Sequence, residues 1–316
     1  MDLSIIIVSW NVAALLEQCL HSIAASLATS SAYRLPQTEV IVVDSASSDD
    51  TVTRVKTTFP WVTMLAQSEN VGFTRGNNIG LEAAEGRYLL LLNPDTEVIS
   101  DALAHLVAYM DANRKVGIIG PHTLNTDGTT QSSRRRFLTP ALAFFESTWL
   151  QGYAPKEWLD DFYVTEALNT AVLDVDWVQG SAIMVRRAVY EQIGGLDTGY
   201  VMYSEEMDWC KRAKTAGWAV VYDGQAQITH HGGKSTEQAG ANKHIYFQES
   251  KLRYLRKYHG YRVALLMRVF LLLSYVWQIM EEAVKTVISP KRSMRPERRQ
   301  RIQTYWRVLR SGLKVS

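Results

Sequence analysis

The tripeptide Asn93-Pro94-Asp95 stands directly after an apolar run, Leu89–Leu92. Such a run reads as a strand buried on both faces. Pro94 has no N–H to give to a sheet ladder, so the strand must end there. Asp95 is thereby delivered to the carboxyl edge of a parallel sheet, where open α/β sheets bind their ligands. A carboxylate held at that edge suits a hard divalent cation, and such cations commonly carry phosphate oxygens. The bland alternative is a strand-ending turn with a solvated aspartate. Other polar groups fall where further strand ends or site loops are expected: Asp44, the stretch Asn70–Asn78, the acids of Ser204–Trp209, and His230-His231. Singly they say little; jointly they describe one polar, acid-rich rim.

The elements that must position this rim alternate between strand and helix. Leu3–Ser9, Glu39–Asp44, Trp61–Ala66, Arg87–Leu92 and Val116–Gly120 read as strands. Val12–Leu27, Thr51–Thr58, Thr74–Ala84 and Asp101–Asn113 read as helices, with Asp49 or Asp50 capping the second and Ser100 the fourth. A βαβ series predicts an α/β protein with a Rossmann-like, mostly parallel sheet flanked by helices. Further on, Val175–Val185 reads as a strand broken at Gly180, Arg187–Ile193 and Glu205–Ala216 as helices, and Ala219–Tyr222 as the last strand. The expected organisation is an α/β domain over residues 1–245, in two halves (1–120 and 121–245). Amphipathic helices and a basic tail occupy 246–316.

Several classes are excluded or disfavoured. No GxGxxG follows the first strand, where Ser9-Trp10-Asn11 stands instead, and the glycines at 72, 76 and 80 have the wrong spacing for a dinucleotide fingerprint. There is no GxxxxGK[ST], so P-loop chemistry is out. The two cysteines form no metal-binding pair and fit a reducing compartment. No positive charge precedes the first apolar run, which argues against a secretory signal and for a cytoplasmic protein.

The net charge of +2 demands no nucleic-acid partner, but it is unevenly placed. From Lys285 onward the tail carries about +9, leaving about −7 elsewhere. Arg262–Ile288 is strongly apolar, yet its longest uncharged stretch, Val269–Met280, is short for a bilayer span. An interfacial helix with a polybasic flank, lying on an anionic membrane surface, is the expectation. The alternative is a helix packed on the catalytic domain beside a solvated tail. Arg134–Arg136 reads as a solvated loop or, less simply, a contact for an anionic acceptor. The aromatic stretch Phe144–Tyr163 is a possible acceptor lid.

Taken together, the landmarks Ile5–Asn11, Val42–Thr51, Asn70–Gly80, Leu91–Thr96, Trp177–Gly180, Gly194–Asp197, Tyr203–Trp209 and His230–Ser235 resemble a family 2 glycosyltransferase of the GT-A fold. The rhamnosyltransferase-like bacterial branch is the most similar, and the resemblance runs from Leu3 to about Ser235. It implies transfer of a sugar from a nucleotide-diphosphate donor, with inversion, to a glycan or lipid-linked acceptor in cell-surface polysaccharide synthesis. The enzyme would work on the inner face of the plasma membrane.

The resemblance also implies roles. Ser9, Asn11, Asp44, Asn70, Arg75, Asn93 and Asp95 would bind the donor, with Asp44 on the base. Asn93 and Asp95 match the metal motif, with asparagine at its first acid, so Asp95 and His230 would hold Mg²⁺ or Mn²⁺. His231 is the alternative in the neighbouring register. Glu206 matches the base that takes the acceptor proton, with Glu205 and Asp208 as possible sharers. Trp177, Gly180 and Trp209 would lie on the acceptor side. Rival readings are a UDP-galactofuranose, UDP-hexose or UDP-N-acetylhexosamine donor, a silent scaffold, or a nucleotidyltransferase. Asp95 and Glu206 count against the scaffold. The lack of a glycine-rich loop after strand one counts against the last.

Overall fold

The computed structural model describes residues 1–29, 31–232, 241–288 and 292–315, without the side chains of Ala241 and Arg292. Gly233, Lys234 and Ser235 of the last landmark, and Lys291 of the basic tail, lie outside the described residues. The chain forms two compact units. The first comprises Met1–Phe137, Asp160–Thr198 and Glu205–Ser235; the second comprises Leu138–Leu159, Gly199–Ser204 and Thr236–Ser316. Neither is contiguous in sequence, so no single boundary separates them.

The first unit is built on one sheet. Its strands are β1 (Leu3–Ser9), β2 (Thr38–Asp44), β3 (Val62–Ala66), β4 (Tyr88–Leu92), β5 (Thr96–Val98), β6 (Val116–Leu124), β7 (Thr130–Gln131), β9 (Val172–Asp174), β11 (Ala182–Arg186) and β12 (Ala219–His230). Two short strands, β8 (Arg134–Arg135) and β10 (Trp177–Val178), pair with each other instead. The main order is β3-β2-β1-β4-β11-β6-β12-β5. β1, β2, β3 and β4 run parallel, as do β6 and β12, while β11 is antiparallel to both of its neighbours. The sheet is thus mixed, with a parallel half that matches the expectation.

Side-chain alternation assigns the two faces. Ile5, Ile7, Val40, Val42, Leu90 and Leu92 belong to one core cluster; Ile6, Ile41, Val43, Leu89 and Leu91 belong to the other. This is the period of two of a strand buried on both sides. Helices α1 (Ala13–Ala28) and α4 (Ala102–Ala112) cover the first face, with α2 (Thr51–Thr58) at its side. Helices α3 (Gly72–Ala83), α7 (Arg187–Ile193) and α8 (Glu205–Thr215) cover the second. The glycines of α3 serve this packing. A Cβ at Gly80 would meet Ile6 Cγ2 at 2.3 Å, and one at Gly76 would meet Val8 Cγ1 at 2.8 Å. They let the helix approach β1 closely.

Several local expectations are corrected. β6 continues past Gly120 through Pro121, which pairs with Asp223 just before a register shift, a place where a proline without an N–H is tolerated. β12 runs twelve residues rather than four. The strand expected over Val175–Val185 is two strands in different sheets, β10 and β11. Ser100 is no cap: its φ is 52°, and α4 starts after Asp101 without a side-chain cap bond. Asp49, not Asp50, satisfies the start of α2, accepting the Thr51 N–H at 3.1 Å.

In the second unit, α9 (Ala241–His259), α10 (Tyr261–Ile288) and α11 (Arg295–Ser311) pack on one another, joined by α5 (Pro140–Ala143). α6 (Lys156–Tyr163) straddles the division. α10 buries Ala264, Met267, Leu271, Ser274 and Tyr275. Its other side leaves Leu266, Val269, Leu273, Trp277, Met280, Val284 and Val287 exposed. By length and composition alone α10 is also long and apolar enough to cross a membrane. Cys19 and Cys210 are both free and buried.

Candidate active site

β1 pairs with β2 on one side and β4 on the other, so the chain reverses its order of filling the sheet there. Ligands of open α/β sheets collect at such a switch. Ser9 closes β1 and lies in register with Asp44, which closes β2. Asp44 is only 1% exposed. Its Oδ2 accepts the Ser47 N–H at 2.9 Å, while its Oδ1, like Ser9 Oγ, is buried with no hydrogen-bond partner. A buried carboxylate oxygen without a donor is costly unless a ligand supplies one.

Of the nearby residues expected to bind the donor, two act on the scaffold. Asn11, at a φ of 53°, accepts the Ser48 N–H at 2.7 Å. Asn70 Oδ1 accepts the Ser45 hydroxyl at 3.0 Å and the Gly72 N–H at 2.9 Å. Both side chains therefore shape the loops after β2 and β3. Arg75 is exposed on α3.

β4 ends at Leu92, and the Asn93-Pro94-Asp95 turn feeds β5, which pairs antiparallel with β12 and matches Thr96 with His230. That register brings His230 beside Asp95. Both are buried, and His230 Nε2 lies 3.4 Å from Asp95 Oδ1. The other ring nitrogen, Nδ1, is 2.7 Å from Gln131 Oε1. Gln131 in turn donates from Nε2 to Asn125 Oδ1 at 3.0 Å, which sets the orientation of its amide. His230 Nδ1 therefore donates to Gln131, which leaves Nε2 as the ring nitrogen that faces Asp95 and can take a cation. His231 points elsewhere, to Glu97 Oε1 at 2.6 Å.

The pair suits a divalent cation. One carboxylate and one imidazole are ordinary ligands for Mn²⁺, and an outer partner on the second ring nitrogen is the usual support of a metal-binding histidine. Among the described residues no group of three or more His, Cys, Asp or Glu could hold a metal. The remaining positions would fall to ligand oxygens and water, as is common for Mg²⁺ and Mn²⁺ on diphosphates.

A second acidic centre begins α8. Tyr203 and Ser204 enter it at φ values of 71° and 64°, a conformation that non-glycine residues seldom adopt. Burial, and then the charge of Glu206, push the Glu205 carboxyl well above its ordinary range. Burial also raises Glu206. The backbone N–H groups of Glu206, Gly180 and Met207, and the charge of Arg135, oppose that rise. Gly180 lies against this side chain: a Cβ there would sit 3.6 Å from Glu206 Cβ. Glu206 is the half-buried carboxylate of the pair and Glu205 the buried one, and a raised affinity for a proton is what a general base requires.

The two centres adjoin one strand end. The Asn93 N–H donates to Ser181 O at 2.9 Å, and the neighbouring Gly180 serves Glu206. Asn93 Oδ1, Gln179 Oε1, Ser181 Oγ, Glu205 Oε2 and Glu206 Oε2 are all buried without hydrogen-bond partners. These oxygens keep hydrogen-bonding capacity that a ligand would satisfy.

Other expected site residues are placed elsewhere. Asp208 accepts from Arg212 Nε at 2.8 Å, and Arg212 also clasps Ile193 O and Gly195 O. Arg212 thus pins α8 to the end of α7, and the Asp208 carboxylate holds its guanidinium in place. Trp209 is fully buried with its indole N–H on Gly194 O, so its ring belongs to the core. Trp177 is half-buried, with its N–H on Arg136 O. Arg134 is not solvated: it is buried and gives its guanidinium protons to Val164 O, Ala167 O and Leu168 O. Sequence reasoning missed Gln131 and Ser181 as contributors, while Gln179 lies within the Trp177–Gly180 landmark and Arg135 within the basic run Arg134–Arg136.

Comparison with known proteins gives the family and the fold. The glycosyl transferase family 2 profile matches residues 4–194. The chain is 26% identical over 232 residues to an N-acetylglucosaminyl-diphospho-decaprenol L-rhamnosyltransferase of Mycobacterium tuberculosis, covering 70% of this chain and 75% of that one. It is 26% identical over 207 residues to the rhamnosyltransferase WbbL of Escherichia coli, covering 59% and 70%. Among solved structures, the mannosyltransferase PcManGT of Pyrobaculum calidifontis, in complex with GDP-mannose and Mn²⁺, shares the fold. The TM-score is 0.56 at 16% identity, over 98% of this chain and 87% of that one. The acid-lined strand ends and the profile spanning them lead to one conclusion: the chain is a glycosyltransferase and belongs to glycosyl transferase family 2.

Proposed function

We propose that the protein transfers one sugar, rhamnose from dTDP-rhamnose, to a polyprenyl diphosphate-linked glycan in cell-surface polysaccharide synthesis. The reading rests on one observation above all. A carboxylate and an imidazole nitrogen converge just past the end of β4, and the half-buried Glu206 lies against Gly180, beside the start of β11. The rhamnosyl donor and the lipid-linked acceptor are carried over from the relatives' activities.

Asp44 Oδ1 would accept an N–H from the nucleotide base. Asp95 and His230 would hold the cation. When bound, it neutralises charge on the leaving diphosphate. Glu206 would take the proton of the acceptor hydroxyl as it attacks the anomeric carbon, and Gly180 N–H would hold that carboxylate in place. The backbone N–H groups around Glu206, and after them the positive charge of Arg135, favour its ionised form against burial. A single displacement inverts the anomeric centre.

The second unit would dock on the cytoplasmic face of the membrane. Its apolar stripe on α10 runs from Leu266 to Val287, and α11 packs alongside with Tyr305 against Tyr275 at 5.6 Å. Arg299, Trp306, Arg307 and Arg310 share one exposed face of α11. A tryptophan among cations beside an apolar stripe suits a headgroup boundary. The same cations would be costly inside the hydrocarbon, which favours an interfacial α10 over a spanning one.

The test is calorimetric binding of a panel of nucleotide sugars, with Mn²⁺ and then with EDTA. Metal-dependent binding of dTDP-rhamnose supports the reading. Selective binding of a UDP-sugar would replace the donor, and metal-independent binding would remove the cation from the mechanism.

A further inference from the structure

The helical unit holds a cavity of about 520 Å³ that is lined by none of Asp44, Asp95, Glu206 and His230. The size falls within the usual range of small-molecule sites. Trp149, Phe247 and Tyr305 contribute aromatic walls, and Lys243 and His244 contribute nitrogen-bearing side chains. Aromatic faces stack well on the apolar faces of sugar rings, and an ammonium group attracts phosphate.

Gln248 also lines this space and is 5% exposed. Its Nε2 is 3.4 Å from the Tyr275 hydroxyl, and its Oε1 is buried without a hydrogen-bond partner. Turning the amide over changes which end is left over, but one end stays unmatched. A buried amide end with nothing to bond is a cost that a ligand hydroxyl would remove, since a hydroxyl both donates and accepts.

The cavity also adjoins the apolar stripe. Trp149 donates its indole N–H to Ser274 Oγ at 3.2 Å and stacks, tilted, on Trp277 with centroids 6.5 Å apart. Trp277 is 51% exposed on α10. One tryptophan thus borders the cavity and also meets the surface on which a lipid chain would lie. Tyr203, another lining residue, is three positions before Glu206 in the chain.

We propose that this cavity binds the phosphate-linked sugar head of a lipid-borne acceptor, whose hydrocarbon lies along the exposed face of α10. The proposal rests on the reading that the acceptor is lipid-linked, and it gives the aromatic segment around Trp149 a role in holding that head. Gln248 hydrogen-bonds a sugar hydroxyl, Lys243 meets the phosphate, and the aromatic walls take the ring.

The experiment uses the full chain in nanodiscs. Three probes are titrated: farnesyl diphosphate carrying N-acetylglucosamine, N-acetylglucosamine 1-phosphate, and farnesyl diphosphate alone. Each is measured on the wild type, Gln248→Leu and Lys243→Ala. Both variants are expected to bind the complete probe roughly tenfold more weakly, with wild-type affinity for the nucleotide-sugar donor. Lys243 is exposed, so its variant decides the matter if Gln248→Leu does not fold. Unchanged affinity for the complete probe in a folded variant overturns the proposal. Equal affinity for the sugar phosphate and the complete probe overturns its lipid part and makes the ligand a soluble sugar phosphate. If no donor is ever transferred but Gln248→Leu still weakens headgroup binding, the transfer reading fails and the cavity assignment stands.

Discussion

Replacing Gln131 by leucine removes the acceptor for His230 Nδ1–H while keeping much of the side-chain volume. In the native arrangement that 2.7 Å bond holds the proton on Nδ1 and leaves the Nε2 lone pair facing Asp95 Oδ1 at 3.4 Å. Without it, a buried N–H has no partner, which costs about 1–3 kcal/mol. The ring escapes that cost by moving its proton to Nε2. The proton then points at Asp95, and a histidine–aspartate hydrogen bond consumes both cation ligands at once. Loss of such an outer-shell partner typically lowers metal affinity about 10- to 100-fold, or about 1.4–2.7 kcal/mol. We therefore expect Gln131→Leu to weaken Mn²⁺ binding in the presence of dTDP by that factor, measured by electron paramagnetic resonance titration. Gln131→Glu, which keeps an acceptor on Nδ1, should stay within about threefold of the wild type by the same logic. Nitrogen-15 NMR of the metal-free protein gives an independent reading: His230 should switch from the Nδ1–H to the Nε2–H tautomer in the leucine variant. Wild-type Mn²⁺ affinity in Gln131→Leu, or an unchanged tautomer, would refute the reasoning.

Glu206→Gln should bind the donor with wild-type affinity and lose about 10²- to 10⁴-fold in kcat; a smaller loss assigns the base to another group. For Glu205, burial raises the folded-state pKa above the unfolded value. The folded protein then holds the proton more tightly, and stability falls as pH rises from the ordinary glutamate range through that raised pKa. Glu205→Gln should therefore be more stable than the wild type near neutral pH, with the gain shrinking toward about pH 4.5, as read from urea midpoints. A gain independent of pH would contradict this. Replacing Arg299, Arg307 and Arg310 together by glutamine should weaken binding to phosphatidylserine vesicles by about 3 kcal/mol, roughly a hundredfold, and unchanged binding would give the tail another partner. Neutralisation is a cleaner perturbation than deletion, because Val308 and Leu313 are part of the core of the helical unit.

Much of the first half was legible because its signals are local. Apolar runs ending in Asp44 and in Asn93-Pro94-Asp95 announce strands that stop at a sheet edge. Acids at the start of α8 announce a helix N-terminus. Periodicity identified the strands of the parallel half and the helices between them. It could not give the antiparallel β11, because strand direction depends on which neighbours the chain finds. Nor could it give the full length of β12, whose far end pairs with β5 only after the sheet has formed.

What the sequence by itself determined was the class: a βαβ series with acids at its strand ends, and no nucleotide fingerprint of the dinucleotide or P-loop kind. The tertiary structure decided which polar groups act together. Glu206 meets Gly180, whereas Asp208, two residues on, turns to Arg212 and the scaffold. Trp209 is core, and Arg134 is an internal clasp rather than a solvated charge. The partner that sets the proton on His230 is Gln131, 99 positions away. The helical unit is assembled from three separate segments. The physical reason is common to all of these. Local patterns encode which face of an element is apolar, but the partner of a side chain is chosen by packing between elements distant in sequence.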